Sequence, residues 1–253
     1  MSINSRYFLF LSYKGTFYHG WQIQPNSVTV QKILDEALSV VLNEPINTIG
    51  AGRTDTGVHA LFFCAHFDSK SSELAADKDL IFKLNRYLPN DIAINTIRKV
   101  QPGANARFGA ISRTYKYYIS KIKDPFFDSS SWFLYGNLDI ISMNNAAAQL
   151  LEFSDFTSFS KLHSGSKTNI CKVYYAGWEE TATQFIFTIK ADRYLRNMVR
   201  SIVGTMVDLG FGKINNEDYK NIILARDRSK AGMSAPAKGL FLTDIEYPPE
   251  IFI

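Results

Sequence analysis

At 253 residues the chain is long enough to bury a sizeable core, as one large domain or two modest ones. Hydrophobic residues at 46% and charged residues at 21% place it among ordinary globular proteins, and a net charge of +4 leans toward a polyanionic partner. Cys64 and Cys171 lie far apart and form no CxxC pair, which excludes a disulfide framework or zinc ribbon and fits a reducing compartment. The N-terminal apolar run is too short for a signal peptide and no segment spans a bilayer, so a cytoplasmic protein is expected. Tyr at 13 and Phe at 19 supply packing first, but beside Lys and Arg they also supply surfaces that stack on bases.

Residues 6–12 (RYFLFLS) read as a strand, and the polar YKGTFYHGW that follows bends at its glycines. Over residues 29–42, Val30, Ile33, Leu34, Ala37, Leu38, Val41 and Leu42 fall at helical spacing behind Thr29, a suitable N-cap. Pro45 stops that helix and a second strand is expected near Ile46. A Gly-rich loop leads into a buried strand at residues 61–67. Residues 79–88 repeat a helical period through Leu80, Leu84 and Leu88, Pro89 ends it, and residues 92–100 form another strand.

The second half repeats the scheme, with a strand at residues 113–122 and a helix at 144–153. Residues 170–178 and 184–191 read as a hairpin. Leu195, Met198, Val199, Ile202, Val203, Met206 and Val207 make one helical stripe, followed by a shorter helix at residues 218–225 and a strand at 240–246. The pattern predicts an α+β protein of two α+β lobes. The first lobe is expected over residues 1–104 and the second over 105–253, with a cleft between them.

The loop GAGRTDTG (50–57) resembles a nucleotide loop and fails as one. A dinucleotide fingerprint needs Gly at position 55, where Asp stands, and a P-loop needs Lys-Ser or Lys-Thr where Val58 and His59 stand. A central carboxylate would also repel a phosphate. What remains is Asp55 on a tight turn between strands, two residues from Arg53, a setting that can hold a carboxylate ionised and positioned. An Asp that only hydrogen-bonds its own turn has the same spacing, and spacing does not separate the two.

GAGRTDTGVHA (50–60) resembles the signature of the TruA family of tRNA pseudouridine synthases. SYKGTFYHGWQIQ (12–24), VQKILDEAL (30–38), NRYLPNDIAI (85–94), ARFGAISRTYKYYI (106–119), DFTSF (155–159), LRNMVRSIVG (195–204) and APAKGLFL (235–242) stand in the family's order, so the resemblance spans nearly the whole chain. It implies an α+β pseudouridine synthase fold of two α/β lobes with mainly antiparallel sheets, helices on one side and a catalytic cleft between them. The implied activity is cofactor-independent and metal-independent isomerisation of uridine to pseudouridine at positions 38, 39 and 40 of the tRNA anticodon stem-loop, by a homodimer.

Residue by residue, the resemblance makes Asp55 the catalytic carboxylate, Tyr115 the tyrosine that packs on the target base, and Arg200 the basic partner of the aspartate. Leu240 would line the pocket, and Arg53 would help flip the base and hold RNA. Three positions depart from the family: Lys14 stands where Asp is frequent, Thr56 where Ala is common, and Ser234 where Thr is common. None of them is a residue on which the chemistry rests.

Breaking the N1–C1′ bond and joining C1′ to C5 oxidises nothing and loses no group, so a carboxylate nucleophile suffices, attacking C1′ or C6. A stacked uridine must first leave its stem. Tyr115 could move the C5 proton, although a cross-strand core tyrosine fits its spacing equally, as a snorkelling helix-edge cation fits Arg200. Lys14, His59, Arg107, Arg113, Lys116 and Lys121 are the candidate RNA contacts, mainly to phosphates. His19, His59, His66 and His163 form no HxH or HExxH set, so no metal site is expected. A non-catalytic RNA-binding protein is the rival class, and a metal- or nucleotide-dependent enzyme a third.

Overall fold

The computed structural model describes residues 4–77, 79–161 and 168–253; His163 lies outside them. The chain divides into two compact units, Met1–Ile111 with Leu242–Ile253, and Ser112–Phe241. The first unit thus runs past residue 104 and takes back the end of the chain, which the sequence pattern had left with the second lobe.

In the first unit, β1 (Ser5–Tyr13) pairs antiparallel with β3 (His59–Ser69) on one side and β4 (Ile92–Lys99) on the other. The expected strand near Ile46 is only the short β2 (Ile49–Gly50), paired with His66 and Ala65 of β3. Residues 242–246 of β9 (Leu240–Glu246) extend the order to β4-β1-β3-β9.

Strand β1 is apolar at successive positions, and Tyr7, Phe8, Leu9, Phe10 and Leu11 are all buried, so both faces of this sheet are covered. On one face Tyr7 and Tyr13 meet Phe67 and Phe63. On the other, Phe8 packs edge-on against Tyr247 and Phe252, with centroids 5.0 and 6.1 Å away. The C-terminal segment is fixed there by Tyr247, which donates to the Ala106 carbonyl at 2.6 Å, and by an Arg98 guanidinium lying 3.9 Å over the Phe252 ring.

Helix α1 (Val30–Leu42) starts at Thr29, whose hydroxyl accepts from Lys32 N, and buries Val30, Leu34, Ala37 and Leu38. It ends at Asn43 in the left-handed region, φ 52°, a conformation Asn tolerates. Helix α2 (Leu80–Tyr87) buries Leu80 and Leu84, and the Asn85 amide brackets Ile94 of β4 through its N–H and carbonyl, at 2.7 and 2.9 Å.

The second unit carries the antiparallel order β5-β8-β7, formed by β5 (Ser112–Ser120), β8 (Gln184–Ala191) and β7 (Val173–Glu180). A two-residue strand, β6 (Trp132–Phe133), runs parallel to the end of β5. Strand β8 alternates strictly, with Phe185, Phe187, Ile189 and Ala191 buried. Helices α3 (Ile140–Gln149) and α4 (Met198–Gly210) meet Trp178 of β7. Asn144 binds the Trp178 backbone from α3, and the indole N–H donates to the Met206 sulfur of α4 at 3.3 Å. Helix α5 (Asn216–Ala225) opens with a capping box between Asn215 and Asp218.

Helix α3 begins earlier than the spacing predicts because the Asp139 carboxylate accepts from Ile141 N and Ser142 N and so nucleates the first turn. Helix α4 begins later than its apolar stripe, since Asn197 sits at φ 67° and interrupts the helix between Leu195 and Met198.

Candidate active site

Asp55 hangs from the turn between β2 and β3, and residues 13–21 lie along that turn and bind it at both ends. Ala51 N donates to Cys64 O at 2.8 Å, anchoring the incoming arm, and Val58 N closes the turn on Asp55 O at 3.1 Å. Trp21 N donates to Thr54 O and Gly57 N to Tyr18 O, at 3.4 and 3.3 Å. The Tyr13 and Thr54 hydroxyls meet at 2.9 Å in the interior. At Gly15 the two segments touch so closely that a Cβ would fall on the Val58 carbonyl oxygen, so only glycine fits.

The approach to the turn is fixed from α1. Asp35 accepts from Thr48 N and from the Thr48 hydroxyl, at 2.9 and 2.6 Å, and the Gln31 amide donates to Thr48 O at 2.6 Å. Burial raises the Asp35 carboxyl to about 6, against the downward pull of the two Thr48 hydrogen bonds.

Asp55 is half-buried on this scaffold and Arg53 is exposed. Among the described residues the Arg53 guanidinium makes no ion pair or hydrogen bond, and neither does the exposed Lys14 ammonium. His59 stands otherwise: it is buried, and its Nδ1 accepts from Gly15 N at 3.0 Å, which ties the two segments together. Arg107 is exposed on a separate turn, where the Asn105 side chain accepts from Arg107 N and Phe108 N.

In the second unit Tyr115 and Lys116 lie half-buried at the middle of β5, opposite Ile189 and Thr188 of β8. The Tyr115 ring meets Tyr194 edge-on at 5.0 Å. Tyr194 directs its hydroxyl to the Ile189 and Arg113 carbonyls, at 2.9 and 3.1 Å, and burial pushes its phenol well above the usual range, so it stays a donor. The Arg113 guanidinium donates to Asp192 O at 2.8 Å. Lys121 is engaged by Glu180 at 2.6 Å.

Arg200, in the first turn of α4, donates from Nε to Ala235 O at 2.7 Å, and its own carbonyl accepts from Ala235 N at 2.9 Å. Segment 233–236 can lie this close because Gly204 leaves room for the Met233 carbonyl. The Tyr117 hydroxyl donates to Pro236 O at 2.7 Å, and Leu240 is buried at the start of β9. The first unit thus gathers Lys14, Arg53, Asp55 and His59 around one turn. The second gathers Tyr115, Arg113 and Lys116 on β5 and fixes Arg200 to segment 233–236. Among the described residues no group of three or more His, Cys, Asp or Glu side chains could hold a metal ion, and no helix is long and apolar enough to cross a membrane.

The profile of the tRNA pseudouridine synthase family matches residues 10–108 and 146–248. The chain belongs to the tRNA pseudouridine synthase family. A tRNA pseudouridine synthase A of Bacteroides fragilis is 52% identical over 248 residues, covering 98% of each chain. One of Bacteroides thetaiotaomicron is 51% identical over 250 residues, covering 98% of this chain and 92% of its own. One of Thermoanaerobacter pseudethanolicus is 41% identical over 240 residues, covering 94% and 97%.

The two matched segments of this pseudouridine synthase contain Lys14, Arg53, Asp55, His59, Arg107, Arg200 and Leu240, while Arg113, Tyr115 and Lys116 fall between them. Sequence reasoning missed Tyr194 and the Tyr13–Thr54 pair, which act through other residues across the fold. Their one local signal was a tyrosine in each neighbourhood, RYLRN (193–197) and SYKG (12–15).

Proposed function

We propose that this isomerase converts uridine to pseudouridine at positions 38, 39 and 40 of the tRNA anticodon stem-loop, with Asp55 as nucleophile. The observation that carries this reading is a half-buried carboxylate on a turn bound by backbone hydrogen bonds from two sides, two residues from Arg53, which makes no ion pair or hydrogen bond among the described residues. Such a turn holds the carboxylate where a substrate can meet it and leaves a cation available to the RNA.

The uridine leaves the stack and enters the site. Asp55 attacks C1′ or C6, the N1–C1′ bond breaks, and the uracil turns. C5 then joins C1′, Asp55 leaves the carbon it attacked as a free carboxylate, the C5 proton leaves and N1 takes up a proton, so the atoms balance without cofactor or metal. Tyr115 and Leu240 take the two faces of the ring, and Arg200 supplies positive charge to the reaction. Lys14, Arg107, Arg113 and Lys116 hold phosphates, which positions the tRNA by its shape. The enzyme works in the cytoplasm as a homodimer, a state that sedimentation of the purified protein reads directly.

The test is conversion of unmodified tRNA transcripts in EDTA, with pseudouridine mapped by position. Wild type forms pseudouridine at 38–40, and Asp55→Asn lowers the rate at least about 1,000-fold while still binding tRNA. Full activity in Asp55→Asn removes Asp55 as nucleophile. Product at other positions overturns the substrate assignment, and tight binding without any product makes the chain an RNA-binding protein.

A further inference from the structure

Residues 13–20 sort their side chains by face. Tyr13, Gly15, Tyr18 and Gly20 are buried, whereas Lys14, Thr16, Phe17 and His19 are exposed. Phe17 is 78% exposed at the end of a single 3-10 turn, Gly15–Phe17. A lone exposed aromatic is common on protein surfaces and by itself signals nothing.

What sets Phe17 apart is the rigidity of its mounting and its neighbours. The residue before its turn donates to Asp91 O from Lys14 N at 2.9 Å, and the residue after it donates to the Asp91 carboxylate from the Tyr18 hydroxyl at 2.6 Å. Tyr18 O accepts from Gly57 N, two residues after Asp55, and Gly15 lies against the Val58 carbonyl. The chain that presents Phe17 is therefore bonded on either side to the chain that presents Asp55. Lys14 and His19 flank it in sequence, and Arg53 is exposed on the apposed turn and makes no ion pair or hydrogen bond among the described residues. An exposed aromatic ring next to Lys14, on ordered backbone bonded to the turn that carries Arg53, matches the chemistry of an unstacked base between phosphates.

We propose that Phe17 is a substrate-binding residue that stacks on the base next to the extruded uridine, whose face is uncovered when that uridine leaves the helix. This rests on the tRNA reading above. Phe17 replaces lost base stacking and holds the RNA in register with Asp55, acting on tRNA affinity and not on the bonds that Asp55 makes and breaks.

The experiment compares Phe17→Ala, Phe17→Leu and Phe17→Trp with wild type in tRNA binding and in steady-state pseudouridine formation. Phe82→Ala serves as control, since Phe82 is 67% exposed on α2, an element that gives the Asp55 turn none of its hydrogen bonds described above. Phe17→Ala is expected to raise Kd and KM for tRNA roughly 5- to 150-fold, with kcat at saturating tRNA and the melting temperature near wild type. Phe17→Trp retains affinity, Phe17→Leu behaves like Phe17→Ala, and Phe82→Ala changes nothing. Affinity of Phe17→Ala within about twofold of an active wild type overturns the proposal alone, because stacking is worth more than that. Equal affinity of the Leu and Trp variants overturns it too, since that is apolar packing without stacking. A wild type that neither binds nor modifies tRNA takes down the underlying reading and the proposal together.

Discussion

In the first unit Asp55 hangs from a turn that is held largely by backbone atoms: Ala51, Trp21, Gly57 and Val58 give N–H groups, and Cys64, Thr54, Tyr18 and Asp55 give carbonyls. In the second unit Tyr115 and Arg200 stand on a strand and a helix, whose geometry is regular, and side chains do the fixing: the Tyr194 ring against Tyr115, Arg200 Nε on Ala235 O. A turn brought against a neighbouring chain must keep Cβ atoms out of the way, so glycine is the residue that matters there. On a regular element the backbone already satisfies itself, so the contact that the side chain itself makes matters most.

Three substitutions break or sharpen this contrast. Gly15→Ala strikes the backbone clamp. Its Cβ pushes on Val58 O and displaces the Asp55 turn, and kcat/KM for tRNA is expected to fall about 100-fold, the scale of an ångström misplacement. Wild-type activity in a folded Gly15→Ala protein would show that the turn does not depend on this contact.

Asp35→Asn addresses the approach to the same turn. Its folded-state value near 6 lies above the ordinary 3.8, so folding favours the protonated form. The stability this group contributes is complete below its ordinary value and is lost as pH rises through about 6. Asparagine keeps an acceptor for Thr48 without a charge to bury, so the variant should be more stable by about 1–3 kcal/mol near pH 8 and gain nothing in acid. Urea unfolding at the two pH values measures the difference, and a gain independent of pH would contradict the burial account.

Tyr194→Phe tests the second unit. It keeps the ring contact with Tyr115 and deletes the hydroxyl between two carbonyls, for an expected loss of about 1 kcal/mol in unfolding free energy and only a small change in rate. A rate loss larger than the stability loss would mean that the hydroxyl positions Tyr115 during turnover.

The same contrast explains what could be read in advance. Glycines, prolines and periodic apolar positions mark turns and elements locally, so α1 with its Thr29 cap, the hairpin strand β8 and the Asp55 turn stand where the pattern puts them. Strand β6 was invisible because two residues paired in parallel carry no period of their own. The strand expected near Ile46 shrank to Ile49–Gly50, since Thr48 is engaged by Asp35 and Gln31 of α1. The buried role of His59 could not be read either, because its partner Gly15 is distant in sequence. The roles of Asp55, Tyr115, Arg200 and Leu240 came from resemblance; their spacing alone fitted structural residues as well.

Residues 242–253 belong to the first unit, where Tyr247 and Phe252 cover Phe8. On the ribosome these residues emerge only after the entire second unit has been made. Until then Phe8 and Phe10 lack the Tyr247 and Phe252 rings that pack on them, and the strands that carry the Asp55 turn have an unfinished core. Synthesis from the N-terminus therefore cannot complete the first unit first, and completion of the core beneath the Asp55 turn waits on translation of residues 242–253.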